Sequence, residues 1–182
     1  MIAPFVAVDP TAPTAFDQVD SPIGELLLTG SDDALAGLYM LGAPGGRPPS
    51  TPPSARRESA AFTRTAAQLR AYFAGELRDF DVPLAPSGSP FQLAVWSALT
   101  QIPYGTTTSY GAIARQLGKP LAMSRAVGAA NGQNPIAVVI PCHRVIGADG
   151  GLTGYGGGLE RKELLLRLEG AAAMAALDAT LW

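Results

Sequence analysis

Cys142 and His143 are the only cysteine and the only histidine in the chain, and they are adjacent. The thiolate is the reactive form of cysteine, and an imidazole nearby can lower the thiol pKa or take its proton. The pair therefore reads either as a nucleophile with its base, or as a small buried hydrophobe beside a loop histidine. Glu169 is the carboxylate that could orient the imidazole, since it lies four residues after Leu165 on the inward side of a C-terminal helix; the alternative is a solvated charge at a helix end. One cysteine excludes an intramolecular disulfide, suits a reducing compartment, and rules out a structural Cys/His zinc site. No metal or cofactor is expected, and a cytoplasmic protein is.

The elements that must position these groups follow from the flanking pattern. Asn134-Pro135 precedes five apolar residues, Ile136 to Ile140, and Pro141 follows them. Such a run predicts a strand buried on both faces that stops at Pro141, delivering Cys142 at the end of a rigid element. Downstream, seven glycines fall between residues 147 and 158. Their spacing is wrong for a phosphate-binding P-loop. Thr153-Gly154-Tyr155-Gly156 could instead wall a pocket and read a flat base edge with backbone groups, or be a plain flexible loop. A helix is predicted from Leu159 to Leu168.

Between residues 91 and 131 the pattern is helical. Ser89-Pro90 is a cap followed by a first-turn proline, opening a helix from Phe91 to about Leu99. Thr108 or Ser109 caps a second helix, Tyr110 to Leu117, closed by Gly118. A third runs from about Met123 to Asn131, so the last two form a helix-turn-helix candidate. Its inward positions are Met123, Val127 and Ala130. The opposite face carries Arg125, Ala126 and Ala129, small residues with one long cation. Such a face suits close packing on protein, or on the minor groove of DNA, about 6 Å wide, with arginine filling the place of an extruded base.

The N-terminal half carries no comparable constellation. Residues 1–14 read as a flexible tail. Strands are predicted at Phe16–Val19, Glu25–Thr29 and Leu35–Leu41, forming an antiparallel meander. Residues 42–55 form a Pro/Gly-rich loop, 56–76 a helix, and Phe80–Leu84 a further strand. Residues 86–90 read as the linker between an N-terminal domain (15–85) and a C-terminal one (91–182). Net charge is −2, so there is no overall polyanion signature. Yet no Asp or Glu occurs from Val82 to Ala148, where Arg115, Lys119, Arg125 and Arg144 stand. This is either a face that approaches phosphates or a low-charge core segment. No apolar run is long enough to span a membrane, and the N-terminus lacks the features of a signal peptide.

Taken together, Pro141-Cys142-His143-Arg144-Val145 resembles the signature of the methylated-DNA–protein-cysteine methyltransferases (O6-alkylguanine-DNA alkyltransferases). The likeness is dense over residues 90–170: Phe91-Gln92, Val95-Trp96, Ile102-Pro103-Tyr104-Gly105, Ser109-Tyr110, Arg125-Ala126-Val127-Gly128, Asn134-Pro135, Thr153-Gly154-Tyr155 and Glu169-Gly170. The resemblance implies an α+β protein: a small N-terminal antiparallel sheet with a helix, RNase H-like, then a mainly helical domain with a winged-helix type helix-turn-helix. It implies direct-reversal repair, in which the alkyl group of O6-alkylguanine in double-stranded DNA, with O4-alkylthymine as a secondary candidate, moves irreversibly to Cys142. In this scheme His143 deprotonates Cys142 through a water, Glu169 holds His143, and Asn134 fixes the turn. Tyr110 protonates the leaving guanine. Carbonyls of Cys142 and Val145 and the Gly156 N–H read the base edge, and Tyr155 walls the pocket. Ser124, Arg125, Ala126 and Ala129 meet the minor groove. A monomer is expected, with cooperative binding along DNA left open.

This sequence departs from the family pattern in two places: the Lys119–Ser124 turn is one residue longer, and Gly156 replaces the serine found in some relatives. The family's fused zinc-binding regulatory domain has no counterpart, so no transcriptional role is expected. Two other readings compete. A non-catalytic alkyltransferase-like binder would lack the cysteine; a thiol hydrolase built on Cys142, His143 and Glu169 would turn over repeatedly on an ester or amide.

Overall fold

The computed structural model describes residues 5–7, 14–42 and 54–174. The tail expected over residues 1–14 and the loop over 42–55 fall largely outside them. The described residues divide into two compact units. One takes those of 1–87 together with Pro135–Val139; the other takes those of 88–134 and 140–174.

In the first unit, β1 (Ala15–Val19), β2 (Leu26–Gly30) and β3 (Leu35–Met40) form the expected antiparallel meander. β2 lies in the middle and is buried along its whole length, so its leucines can be consecutive rather than alternating. The region expected to be one helix over 56–76 is divided. Arg56–Arg57 form β4, parallel to β1, and a single 3-10 turn over Ser59–Phe62 leads into α1 (Thr63–Phe73). Gly75, at φ +77°, ends α1 in a left-handed cap, with the Glu76 N–H returning to the Ala71 carbonyl at 2.9 Å. The strand expected over Phe80–Leu84 is reduced to single bridges at Leu84. Pro83 sits inside the run and has no N–H to give a ladder.

A second correction concerns Ile136–Ile140. Only Ile136 pairs, in one bridge to Leu38. Val138 then adopts φ +69°, and the Val139 N–H returns to the Ala137 carbonyl at 2.8 Å. That is a three-residue γ-turn, an uncommon conformation for a β-branched residue. An apolar, β-branched run bounded by prolines reads alike as a buried strand or a buried strap, and here it is the strap, with Val138, Val139 and Ile140 all buried.

In the second unit, Ser89 caps α2 (Pro90–Leu99) by a reciprocal pair of bonds, the Gln92 N–H to Ser89 Oγ and the Ser89 N–H to Gln92 Oε1. Ser109 caps α3 (Tyr110–Gln116), accepting from the Ala112 N–H at 3.2 Å. A 3-10 turn over Leu121–Met123 leads into α4 (Ser124–Gly132). Leu121 then sits over Gly111, where a Cβ would lie 2.6 Å from Leu121 Cδ1. The Trp96 indole N–H donates to the Ala130 carbonyl at 2.8 Å, pinning α2 to α4. β5 (Thr108–Ser109) pairs in parallel with β6 (Val145–Ile146), which brings the start of α3 beside the end of the Cys-His-Arg turn. α5 (Leu159–Leu168) occupies the predicted span. Among the described residues no helix is long and apolar enough to cross a membrane.

Candidate active site

Two tight turns deliver the cysteine. Pro141 sits at φ −82°, ψ 62°, and the Cys142 N–H closes onto the Ile140 carbonyl at 2.8 Å, an inverse γ-turn that proline's fixed φ favours. Cys142–Arg144 then make one 3-10 turn and run directly into β6. Asn134 braces this corner, its Nδ2 donating to the Ile140 carbonyl at 2.8 Å and to Cys142 Sγ at 3.0 Å. Asn131, on the last turn of α4, donates to the Cys142 carbonyl at 3.4 Å. The cysteine is 5% exposed. Burial pushes its thiol pKa up, while the Asn134 hydrogen bond and the positive charge of Lys162 pull the other way.

Glu169 gathers the polar groups of the residues that follow the cysteine. It caps the C-terminus of α5, and its side chain has no exposed surface. His143 Nε2 lies 2.9 Å from Oε1. Arg144 forms a two-pronged pair, Nε to Oε2 and Nη2 to Oε1, each at 2.9 Å, and the Gly105 N–H donates to Oε2 at 3.2 Å. Both carboxylate oxygens thus accept two hydrogen bonds. Arg144 Nη1 donates to the Ile102 carbonyl at 2.6 Å, and its guanidinium lies 5.7 Å from the centre of the Tyr104 ring. Gly105 is required here: it adopts φ +74°, and a Cβ would come within 2.8 Å of the Glu169 carbonyl oxygen.

Burial alone would raise the Glu169 pKa, but hydrogen bonds from His143 and Arg144 outweigh it and hold the carboxyl at about 2. The His143 pKa is lowered, because burial disfavours the imidazolium more than Glu169 supports it. A neutral imidazole facing an ionised carboxylate carries its proton on Nε2. Nδ1 is then left with a lone pair, buried and without a hydrogen-bond partner among the described residues. The arrangement holds a buried thiol and, on the next residue, a buried ring nitrogen with no hydrogen-bond partner among the described residues.

The family model for the DNA-binding domain of 6-O-methylguanine DNA methyltransferase matches residues 90–171, and the model for its ribonuclease-like domain matches residues 16–86. The methylated-DNA–protein-cysteine methyltransferase of Methanosarcina acetivorans is 53% identical, over 84% of this chain and 96% of that protein. That of Mycolicibacterium paratuberculosis is 55% identical, over 87% and 94%. The crystal structure of Mycobacterium tuberculosis OGT in complex with DNA superposes with a TM-score of 0.79 at 50% identity, covering 88% of this chain and 97% of that one. This chain is a member of the methylated-DNA–protein-cysteine methyltransferase family.

For a methyltransferase of this family, the remaining residues singled out in the sequence lie as follows. Tyr110 opens α3, half-buried, its hydroxyl 3.1 Å from Thr153 Oγ1. Val145 is fully buried, and its carbonyl accepts from Lys162. Tyr155 is half-buried and Gly156 exposed. Arg125 and Ala129 are exposed on α4, with Ala126 and Ser124 half-buried beside them. The Ser124 hydroxyl is turned inward to the Leu121 carbonyl at 2.6 Å. Arg144, grouped in the sequence with cations that could face phosphates, is instead 5% exposed and paired with Glu169, which removes it from any phosphate-facing surface. Lys162 and Asn131 were not singled out as site residues, and Thr153 only as part of the glycine-rich run. Lys162 carried a usable signal: it lies three and four residues before the buried Leu165 and Leu166, on the inward stripe of α5. Among the described residues no cluster of His, Cys, Asp and Glu could hold a metal.

Proposed function

We propose that this protein repairs O6-alkylguanine in double-stranded DNA by transferring the alkyl group to Cys142, once per molecule. His143 Nδ1 accepts the thiol proton through a water, and Glu169 stabilises the imidazolium that results. The thiolate attacks the alkyl carbon in line; the carbon–O6 bond breaks and a carbon–sulfur bond forms. Tyr110 supplies a proton to the departing guanine, so that a neutral base leaves, and His143 returns the proton to Tyr110. No second thiol stands ready to reverse the thioether, since the chain has one cysteine.

The base reaches the sulfur by leaving the duplex. The small face of α4 (Ser124, Ala126, Ala129) lies in the minor groove, and Arg125 fills the gap in the stack. Carbonyls of Cys142 and Val145 and the Gly156 N–H read the base edge, with Tyr155 as a wall. The protein acts as a monomer in the cytoplasm. The observation that carries this reading is a sulfur braced by Asn134 at 3.0 Å on the residue before an imidazole whose Nε2 lies 2.9 Å from Glu169 Oε1. Incubation with a duplex carrying O6-methylguanine should add one methyl group per molecule at Cys142, read by intact and peptide mass. Cys142→Ser should show none. Retention on the duplex without a mass change, or repeated turnover on an ester, would replace this reading.

A further inference from the structure

Leu121 is the most exposed large apolar side chain among the described residues, at 66%. A lone leucine in water needs no explanation, but this one is held in place. Pro120 opens the turn at φ −64°, and its carbonyl accepts from the Met123 N–H at 2.9 Å. The Leu121 carbonyl accepts from the Ser124 hydroxyl at 2.6 Å. The leucine tip rests over Gly111, where a Cβ would lie 2.6 Å from Cδ1, so the missing side chain leaves it a seat. Pro120, Leu121 and Ala122 are all exposed and form an apolar knob, with Lys119 before it and Arg125 after it.

The knob lies in the region that matches the DNA-binding domain, on the turn that leads into α4. Cations are few there. From Val82 to Ala148 the basic residues are Arg115, Lys119, Arg125 and Arg144, and no carboxylate opposes the phosphates on either side of a groove. Arg144 is buried against Glu169, which leaves Arg115, Lys119 and Arg125 exposed. So small a set releases few counterions, and a net charge of −2 adds no attraction of its own. A firm hold on a duplex then draws on contacts that are not ionic. Proteins that enter the minor groove often press an apolar side chain, leucine and proline among them, against a base step. We propose that Pro120-Leu121-Ala122 is an apolar wedge that seats in the minor groove of duplex DNA beside Arg125 and provides binding that salt does not screen. The wedge rests on the placement of α4 in the groove given above, and not on alkyl transfer.

Fluorescence anisotropy of a labelled, undamaged duplex across a salt series tests the wedge on the full chain, since no alkyl group is present to transfer. Leu121→Ser should weaken binding about tenfold at every salt concentration and leave the slope of log affinity against log salt as it was. Lys119→Ala should instead flatten that slope by about one. An affinity equal to that of the natural protein overturns the wedge. So does a slope that flattens as with Lys119→Ala, which would mean that Leu121 only places a cation. Because the side chain stands in water, Leu121→Ser should melt as the natural protein does. Leu121→Glu, which sets a carboxylate against the phosphates, should weaken binding more than Leu121→Ser, and most at low salt. A change in sedimentation of the DNA-free protein on Leu121→Ser would make the knob a protein contact and would also overturn the wedge. On an O6-methylguanine duplex, Leu121→Ser should raise the half-saturating duplex concentration about tenfold while the rate at saturation holds. If the natural protein grips the duplex through Leu121 yet takes no methyl, the repair reading falls and the wedge stands; if it binds no duplex, both fall.

Discussion

The two units bury polar groups in different ways. Among the described residues, the first buries Asp17, Thr29 and Thr65; the second buries Thr100, Asn131, His143, Arg144, Lys162 and Glu169. Asp17 pairs with an Arg57 side chain that is 61% exposed, so that pair keeps its contact with water. Arg144 and Glu169 are 6% and 0% exposed, and their pair does not. A buried ion pair is a weak source of stability, because desolvation offsets most of the attraction. The first unit is therefore built to fold around its leucines and aromatic rings. The second keeps an arrangement that an apolar core would better, and what it obtains is a buried imidazole held by a carboxylate on the residue after a buried thiol.

The hardest test of that contrast is Glu169→Gln. Removing the charge leaves Arg144 buried without its anion and His143 without its orienting partner. We expect a loss of about 3–5 kcal/mol, a fall in melting temperature of about 10 °C, and a transfer rate lowered at least about a hundredfold. A variant that melts as the natural protein does would make Glu169 a spectator. Acid should single out the same unit. The folded Glu169 pKa of about 2 lies below the ordinary 4.5, so its contribution is complete above about 4.5 and lost as pH falls toward 2. It amounts to about 3 kcal/mol. The lowered His143 pKa acts in the same direction: the unfolded imidazole takes a proton first, so stability also declines as pH drops through 6.5. Amide exchange in acid should rise first in residues 88–134 and 140–174, and Glu169→Gln should flatten the lower step.

How much of this was legible beforehand divides along the same line. The meander reads from turn residues between short apolar runs, and its three strands lie within about one residue of their expected ends. Ser89, Ser109 and Gly118 announce the ends of α2 and α3 because caps are local chemistry. The pairing of Arg144 with Glu169 across 25 positions has no local signature. A cation after a histidine looks the same in sequence whether it meets a phosphate or a carboxylate. Ile136–Ile140 misleads for a related reason. Apolarity reports burial, and only the partners decide between a ladder and a strap; here Leu38 pairs with Ile136 alone and Val138 turns the chain away.

A smaller effect is expected from Asn134→Ala. The sulfur loses one hydrogen-bond donor, and that donor is the largest influence holding the buried thiol down. The thiol midpoint should rise by about one unit, with transfer at neutral pH slowed about tenfold and restored in alkaline solution. Thiolate absorbance in the ultraviolet, taken against Cys142→Ser, reads the shift directly. An unchanged midpoint would mean that the turn alone orients the sulfur and that Asn134 serves the Ile140 carbonyl.

The least change should come from Asp17→Asn, the matching lesion in the other unit. Asparagine keeps the shape and an acceptor for Arg57 Nε, which now stands 3.1 Å from Asp17 Oδ1. With Arg57 largely in water, the pair is worth about 1 kcal/mol or less. Melting should move by a few degrees at most, and methyl transfer from duplex DNA, followed by intact mass, should keep the rate of the natural protein. If Asp17→Asn slowed transfer as strongly as Asn134→Ala, buried charge in the second unit would no longer account for where the chemistry resides, because an ion pair open to water on the sheet would be setting the reactivity of a thiol it does not touch.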